Sequence, residues 1–167
     1  AQTETMRAYS DAVAKEFNED EELTTIKIIM SRTHPQRDIC DFHAKANLYG
    51  LGAGIYPKAK APKPPFHPFC RCDMLPMHSI DSTDAKHNPK AQKEFMSALP
   101  KAVQQRIAGS EVKLQRFNGG EDLLSIFDES KHRDYGVRYV GYNIDMKKDF
   151  TIKNVELIEA SIIRGWT

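Results

Sequence analysis

Seven prolines and three glycines fall between Arg32 and Pro76, and this density is the strongest constraint that the sequence places on its fold. Proline removes a backbone donor and fixes φ, so it interrupts long helices and is excluded from central strands. The runs YGLGAGIYPK and KAPKPPFHPF therefore predict an irregular segment. Because a loop of this length is uncommon inside a compact domain, we expect a separate source of order to hold it.

Regular periodicity precedes this segment. Apolar side chains recur at spacings of three and four over residues 3–18, which predicts a helix with one apolar face and with Thr3 as its N-cap. The segment Thr24–Ser31 is rich in β-branched residues and predicts a strand. The apolar positions of the helix are Met6, Tyr9, Val13 and Phe17.

Periodicity returns after Ser79 and predicts a small unit of helices and strands. Proline at the start of a helix and glycine after its last turn mark helix boundaries, while alternation of apolar and polar residues marks strands. The fold class that we expect is therefore α+β, with a helix and strand before the long Pro/Gly-rich loop region. The elements predicted after the loop are a helix from Asn88 to Leu99, a helix from Pro100 to Gly109, a strand over Glu111–Phe117, a short helix over Glu121–Phe127, a strand over Val137–Tyr142 and a helix near Asn154–Ile163.

Cysteine and histidine offer the source of order that the loop lacks. Cys40 and His43 form a C-x-x-H motif, and Cys70 and Cys72 form a C-x-C motif. Two short chelating arms separated by a long loop are typical of a tetrahedral zinc site, because each arm offers two donors within one turn. A zinc site with four protein ligands is closed and structural, since catalysis needs an open position for water. We therefore expect a structural zinc ion to hold residues 32–76.

The identity of the fourth ligand stays open at this point. His67 lies three residues before Cys70, so it can replace His43 as a ligand or support a thiolate through a hydrogen bond, and His34 is a further donor. Two other interpretations are that the cysteines are small buried hydrophobic residues, and that Cys40 forms a disulfide with one of the other two. Three cysteines are too few for a secreted disulfide scaffold, which favours an intracellular protein.

Charge and hydropathy limit the classes of partner. The 24 basic and 23 acidic residues leave a net charge of +1, so the whole chain has no strong attraction to nucleic acid or to a membrane. No stretch approaches the roughly 20 apolar residues of a membrane-spanning helix, which predicts a soluble protein. Because the chain begins at Ala1 in a helical pattern, we expect upstream sequence to be missing. Basic residues in the proline-rich loop, interleaved with aromatic ones, are weak candidates for DNA contact: Lys58, Lys60, Lys63 and Arg71.

Motifs for catalysis are weak. The glycines of YGLGAG do not follow a strand and open a helix, so they predict turns rather than a dinucleotide-binding loop. Cys40 and His43 could be drawn as a nucleophile and its base, but such a dyad needs hydrogen-bond contact and a third, orienting group. We therefore expect a protein that is not an enzyme.

Three motifs in order give the chain a resemblance to a known family. These are D-x-C at Asp38, G-x-G-x-Y-P at Gly52 and H-P-x-C-x-C at His67, preceded by the helical run AQTETMRAYSDA. Together, over residues 1–76, they resemble the Mu F-like phage head morphogenesis (minor head protein) family. The resemblance implies that residues 1–79 are the C-terminal half of the head domain and that residues 80–167 are a C-terminal extension, of which residues 90–128 resemble the extension of other members.

The resemblance also implies a function. Members are structural proteins of tailed phages or prophages, present in few copies, that act at the portal vertex during procapsid assembly. We accordingly expect the portal protein and other head proteins as partners, DNA as a possible contact, no membrane, and a place in the virion or procapsid interior after synthesis in the host cytoplasm. Members often carry a second cysteine at position 43, which supports Cys40, His43, Cys70 and Cys72 as one metal set, while relatives without a donor there keep His67 and His34 open.

A second function follows from the same family. Bacterial toxins borrow this head domain to deliver a C-terminal effector, so residues 80–167 could carry a nuclease-like activity. A ribonuclease-like effector needs a histidine, an arginine and a hydroxyl or carboxylate group. The residues that could nominally supply this set are His132, Arg133, Arg138 and Thr151.

Overall fold

Strand β1, Thr25–Ile29, is the central strand of a three-stranded antiparallel sheet. The computed structural model describes residues 2–133, 138–139 and 142–143. Strands β2, Ile55–Pro57, and β3, Asp73–Met77, lie on either side of β1, with Ile26 opposite both Tyr56 and Pro76. The prediction of a strand at this point is confirmed, and so is the α+β class at the level of helices packed with a small sheet.

Helix α1, Gln2–Glu19, precedes the sheet and confirms the predicted N-terminal helix. Its apolar side chains at Met6, Val13 and Phe17 are half-buried, while Tyr9 is largely exposed. The expectation that Thr3 caps the helix is wrong, because Thr3 lies inside α1. Its hydroxyl oxygen instead accepts a hydrogen bond, 3.4 Å long, from the backbone N–H of Phe69.

Residues 32–76 contain more regular structure than their composition predicts. Helix α2, Ile39–Lys45, lies within them, as do β2, a 3₁₀ turn at Lys58–Lys60 and most of β3. A capping box begins α2: the Asp38 carboxylate accepts from backbone N–H groups of the first turn, and the Asp41 carboxylate accepts from the N–H of Asp38. The prolines at positions 57 and 76 lie in the two edge strands, where a missing backbone donor is tolerated.

Three further helices complete the first compact unit, residues 1–123. Helix α3, Pro89–Ser97, is capped by the Asn88 side chain, and helix α4, Lys101–Ala108, ends at Gly109 with a φ of 91°, as predicted. The predicted strand over residues 111–117 is wrong, because this segment is helix α5, Glu111–Asn118. The Ser110 side chain caps α5, and its buried residues Leu114 and Phe117 are three apart, which is a helical spacing.

The predicted boundary between residues 79 and 80 lies inside this first unit. The N–H of Asn88 donates to the carbonyl of Leu48, and the Ser82 hydroxyl donates to the carbonyl of Thr24. Residues on both sides of the boundary are therefore joined by hydrogen bonds.

The second unit comprises residues 124–167. Helix α6, Leu123–Arg133, begins two residues after the predicted start of the short helix at Glu121 and extends beyond its predicted end. Two short antiparallel strands, β4 at Arg138–Tyr139 and β5 at Tyr142–Asn143, fall where one strand was predicted. The predicted helix at 154–163 lies outside the described residues, as do positions 137, 140 and 141. None of the described helices is long and apolar enough to cross a membrane.

Two glycines with similar backbone angles allow a matched test of the packing between α2 and β2. Gly54, at φ 69°, lies so close to the backbone of Ala44 that an added Cβ would overlap its carbonyl. Gly50, at φ 71°, has open space at the same position. Gly50→Ala should cost only the left-handed conformation, about 1–2 kcal/mol, whereas Gly54→Ala should cost about 3 kcal/mol or more, because α2 must also move. Urea unfolding of both variants measures the difference, and equal losses would contradict the contact.

Candidate metal centre

The elements around the sheet bring the three cysteines together. Cys40 lies in the first turn of α2, and α2 packs against β1. Cys70 closes a turn in which its N–H donates to the carbonyl of His67 at 3.1 Å, and Cys72 directly precedes β3. Because β3 pairs with β1 along its whole length, the loop before β3 is held beside the start of α2.

The three thiols form one buried group. Cys40, Cys70 and Cys72 are each at most 3% exposed, and their sulfur atoms all lie within 4.8 Å of one another. The Sγ atoms of Cys40 and Cys70 are 3.6 Å apart, and the N–H of Cys72 donates to Sγ of Cys70 at 3.4 Å. A disulfide needs a sulfur separation near 2 Å, so the cysteines are free in this structure. Three thiols at these distances are close enough to hold a metal ion.

The electrostatics of this group favour a cation. Hydrogen bonds from Cys40 and then Cys72 lower the pKa of the Cys70 thiol, so Cys70 ionises first. The hydrogen bonds to Cys70 and Cys72, followed by burial, raise the pKa of Cys40. At Cys72 the contact with Cys40 lowers the pKa, but the contact with Cys70, burial and the charges of Cys70 and Asp38 leave it raised. A divalent metal ion would remove the repulsion that opposes three thiolates in one place.

A second group of donors shares Cys40 with the first. One ligand atom each from His34, Asp38, Cys40 and His67 lies within 4.8 Å of the others. The Asp38 carboxylate stands between the two imidazoles: Oδ1 is 3.1 Å from Nε2 of His34, and Oδ2 is 3.3 Å from Nε2 of His67. This group is more accessible than the thiols, since the His67 side chain is 30% exposed.

His67 has the hydrogen bonding of a metal ligand. Its Nδ1 lies 2.7 Å from the carbonyl oxygen of Pro68, which requires Nδ1 to be the protonated, donating nitrogen. Its Nε2 is buried and has no hydrogen-bond partner, because the contact with Asp38 lacks hydrogen-bond geometry. A histidine that donates from one nitrogen to a backbone carbonyl presents the lone pair of the other to a metal. The orphaned Nε2 therefore fits a bound cation.

His43 belongs to neither donor group. It is buried, its ring centroid is 4.2 Å from that of Phe66, and its Nδ1 is 3.4 Å from the hydroxyl of Tyr56. The Tyr56 hydroxyl in turn donates to the backbone carbonyl of His43 at 3.0 Å. Among the described residues, the groups close enough to share a metal ion include His34 and His67 and leave out His43.

The residues predicted to contact DNA divide into two pairs. Lys58 donates through Nζ to the carbonyl of Asp20 at 2.7 Å, and Lys63 forms a 2.6 Å ion pair with Asp11. Lys60 and Arg71 are exposed. Two of the four cations are thus engaged in contacts within the chain.

Asp38 is the residue of the centre that the sequence did not single out as a donor. In the sequence Asp38 stands out only through the D-x-C motif, yet in the structure it caps α2 and contacts two histidines. The signal that could have found it is the spacing Asp38-x-x-Asp41, which is a capping box and so places Cys40 in the first turn of a helix.

Comparison of the chain with protein-family models, with curated proteins and with solved structures found no match in any of the three.

Proposed function

We propose that Cys40, Cys70 and Cys72 hold a structural zinc ion, with the fourth donor supplied by the neighbouring group of His34, Asp38 and His67. The observation that carries this proposal is the buried set of three free thiols within 4.8 Å, contributed by two motifs thirty residues apart. Thiolates and neutral imidazoles are the donors that suit zinc. When bound, zinc supplies a cross-link between chain segments rather than a reactive centre.

The residues around the thiols explain why a cross-link is needed there. The loop from Lys58 to Cys72 has no helix or strand beyond one 3₁₀ turn, so it forms few of the backbone hydrogen bonds that stabilise regular elements. In small metal sites the binding free energy is folding free energy, on the order of 10 kcal/mol for structural zinc. A metal ion at Cys40 would tie this loop to α2.

For the biological role of the protein, we propose a non-enzymatic function in phage or prophage head assembly at the portal vertex. The support is the resemblance, together with the way its motifs pack. The segment D-x-C starts α2, Gly54 of G-x-G-x-Y-P lies against Ala44 of α2, and H-P-x-C-x-C places Cys70 against Cys40. Motifs that are scattered in sequence thus form one packed unit, which is what a shared domain requires.

The place of the protein and its partners follow from the same proposal. The portal protein and other head proteins are the partners, and the virion or procapsid interior is the location. DNA contact is a lesser part of the proposal, because Lys60 and Arg71 are the two exposed candidates. The competing effector function rests on His132 and Arg133 in α6, Arg138 in β4 and Thr151, whose side chains lie outside the described part of the chain.

Loss of a thiol ligand should release the metal and loosen the loop. Cys40→Ser, Cys70→Ser and Cys72→Ser should each reduce bound zinc and make residues 32–76 sensitive to protease, because each removes one arm of the same cross-link. Helices α3 to α5 should stay resistant. The measurements are elemental analysis of protein purified without chelator and limited proteolysis followed by mass spectrometry. Less than about a tenth of an equivalent of zinc in the unaltered chain, with three freely titrating thiols, would contradict the zinc site.

His67 and His43 should behave differently when each is shortened. His67→Ala should weaken zinc binding about tenfold or more, because it removes the unpaired Nε2. His43→Ala should leave the zinc affinity unchanged but lower the free energy of unfolding by about 2–4 kcal/mol, because it leaves a cavity beside Phe66 and Tyr56. Competition with a chromophoric chelator and urea unfolding separate the two effects. His78→Ala, at an exposed His–Asp pair with Asp20, is the matched control. A larger loss of zinc affinity in His43→Ala would reassign the ligand.

A head assembly protein should be physically associated with phage head particles during their assembly. The protein should co-purify with portal and procapsid from induced cells, since assembly at the portal vertex requires a direct association. Its absence from every head intermediate would contradict the role. The effector function makes the opposite prediction: turnover of RNA or DNA by the purified chain, with or without magnesium, that is abolished by His132→Ala.

A further inference from the structure

The second donor group contains more donor atoms than a zinc ion at the three cysteines needs. A four-coordinate zinc ion held by Cys40, Cys70, Cys72 and one further side chain would leave two of the three residues His34, Asp38 and His67 without a metal. Those residues are nevertheless gathered around Cys40 within 4.8 Å, as closely as the thiols are gathered around one another. Together with Cys40 they offer one sulfur, two nitrogens and one oxygen, which is a complete set for a tetrahedral ion.

We propose that His34, Asp38 and His67 bind a second divalent transition-metal ion, and that the Cys40 thiolate bridges it to the ion held by Cys70 and Cys72. This inference rests on the proposed zinc site at the cysteines. The two sites share a ligand because Cys40 is the one residue common to both groups.

Charge balance supports two ions. Three thiolates and the Asp38 carboxylate bring four negative charges into a region where the cysteines are at most 3% exposed and Asp38 is 14% exposed. One divalent ion would neutralise two of these charges, and two ions would neutralise all four. The other nearby carboxylate, Asp41, is paired with Lys45 at 2.6 Å through Oδ1, and its Oδ2 lies 3.5 Å from Nε2 of His34. The N–H of Cys40 and the ring of His34 offset part of the Asp38 charge, and a second ion bound to Asp38 would offset the rest of this buried charge.

Asp38 is placed to serve both ions. Its two oxygens face different imidazoles, and Oδ1 accepts a hydrogen bond from the N–H of Cys40, the residue common to both groups. A carboxylate can bridge two metal ions through its two oxygens, and such ions lie about 3.5–4 Å apart in known two-metal sites. With Cys40 and Asp38 both bridging, each ion reaches four protein donors.

The second ion should exchange more readily than the first. The His34 and His67 side chains are 11% and 30% exposed, whereas the thiols are buried. Solvent therefore contacts the rings that carry the nitrogen donors, although Nε2 of His67 itself is buried, and a competing chelator reaches this ion with less displacement of the chain than it needs at the thiols. The first ion should be released only when the loop that carries Cys70 and Cys72 opens.

Metal stoichiometry of the full chain tests this proposal. The chain, without a polyhistidine tag, is loaded with zinc, freed of excess metal by gel filtration and analysed for zinc and for reactive thiols. We expect about two equivalents of zinc and no reactive thiol. His34→Ala should retain about one equivalent with the thiols still protected, while the control His78→Ala should retain about two. About one equivalent in the unaltered chain, or equal content in His34→Ala and the unaltered chain, would overturn the second site and leave the first intact.

Cobalt substitution tests the bridge. The first equivalent of cobalt should give thiolate-to-cobalt charge-transfer absorption and a high-spin resonance signal, and the second should weaken that signal, because two ions joined by a thiolate couple magnetically. A signal that doubles would overturn the shared ligand. His34→Gln, which can keep a hydrogen bond to Asp38, guards against misfolding: loss of both ions from a variant with unchanged circular dichroism would mean one joint centre and would overturn the two-site account. Absence of any metal, with three reactive thiols, would overturn the zinc site itself.

Discussion

The approach of Cys40 to Cys70, 3.6 Å between sulfur atoms, is the contact on which the arrangement of the first unit depends. It joins the start of α2 to the loop before β3, two segments that neither the sheet nor a helix pairing connects at that point. Three thiols so close together repel one another as they ionise, so the contact is stable only with protons or with a cation among them. Burial, hydrogen bonding and metal binding therefore act on the same few atoms.

The capping of α2 is the local cause of this arrangement. Asp38 accepts from the N–H of Cys40 at 2.8 Å, which fixes the helix start and with it the direction of the Cys40 side chain. The same carboxylate reaches His34 and His67. One aspartate thus serves the backbone and the donor cluster at once, and its replacement by a residue that only caps the helix would separate the two roles.

Those parts of the fold and of the metal centre that depend on a local sequence pattern could be predicted from the sequence. The helix α1 follows from apolar spacing, β1 from β-branched residues, and the end of α4 from Gly109. The convergence of Cys40 with Cys70 and Cys72 follows from ligand chemistry, since two chelating arms imply a shared ion. Each of these inferences uses residues close together in sequence or a rule of coordination.

The rest depends on tertiary contacts that no local pattern contains. The alternation at 112–116 suggested a strand, but Val112 is exposed and Leu114 and Phe117 face the interior, so packing and the Ser110 cap decide for a helix. The choice among the three histidines likewise depends on tertiary contacts, because the ring of His43 packs against Phe66 and faces the hydroxyl of Tyr56. That information lies in residues more than ten positions away from His43.

The hydrogen bond from Phe69 to Thr3 has a mechanical consequence. It joins the first turn of α1 to the loop from Lys58 to Cys72. Two further contacts join this loop to later points of the chain: the ion pair of Lys63 with Asp11, and the hydrogen bond from Lys58 to the carbonyl of Asp20. Helix α1 and the residue that follows it thus brace residues 58–69 at three points. A pulling force applied at the N-terminal end of the helix would load these attachments in sequence, beginning with the one nearest the sulfur ligands.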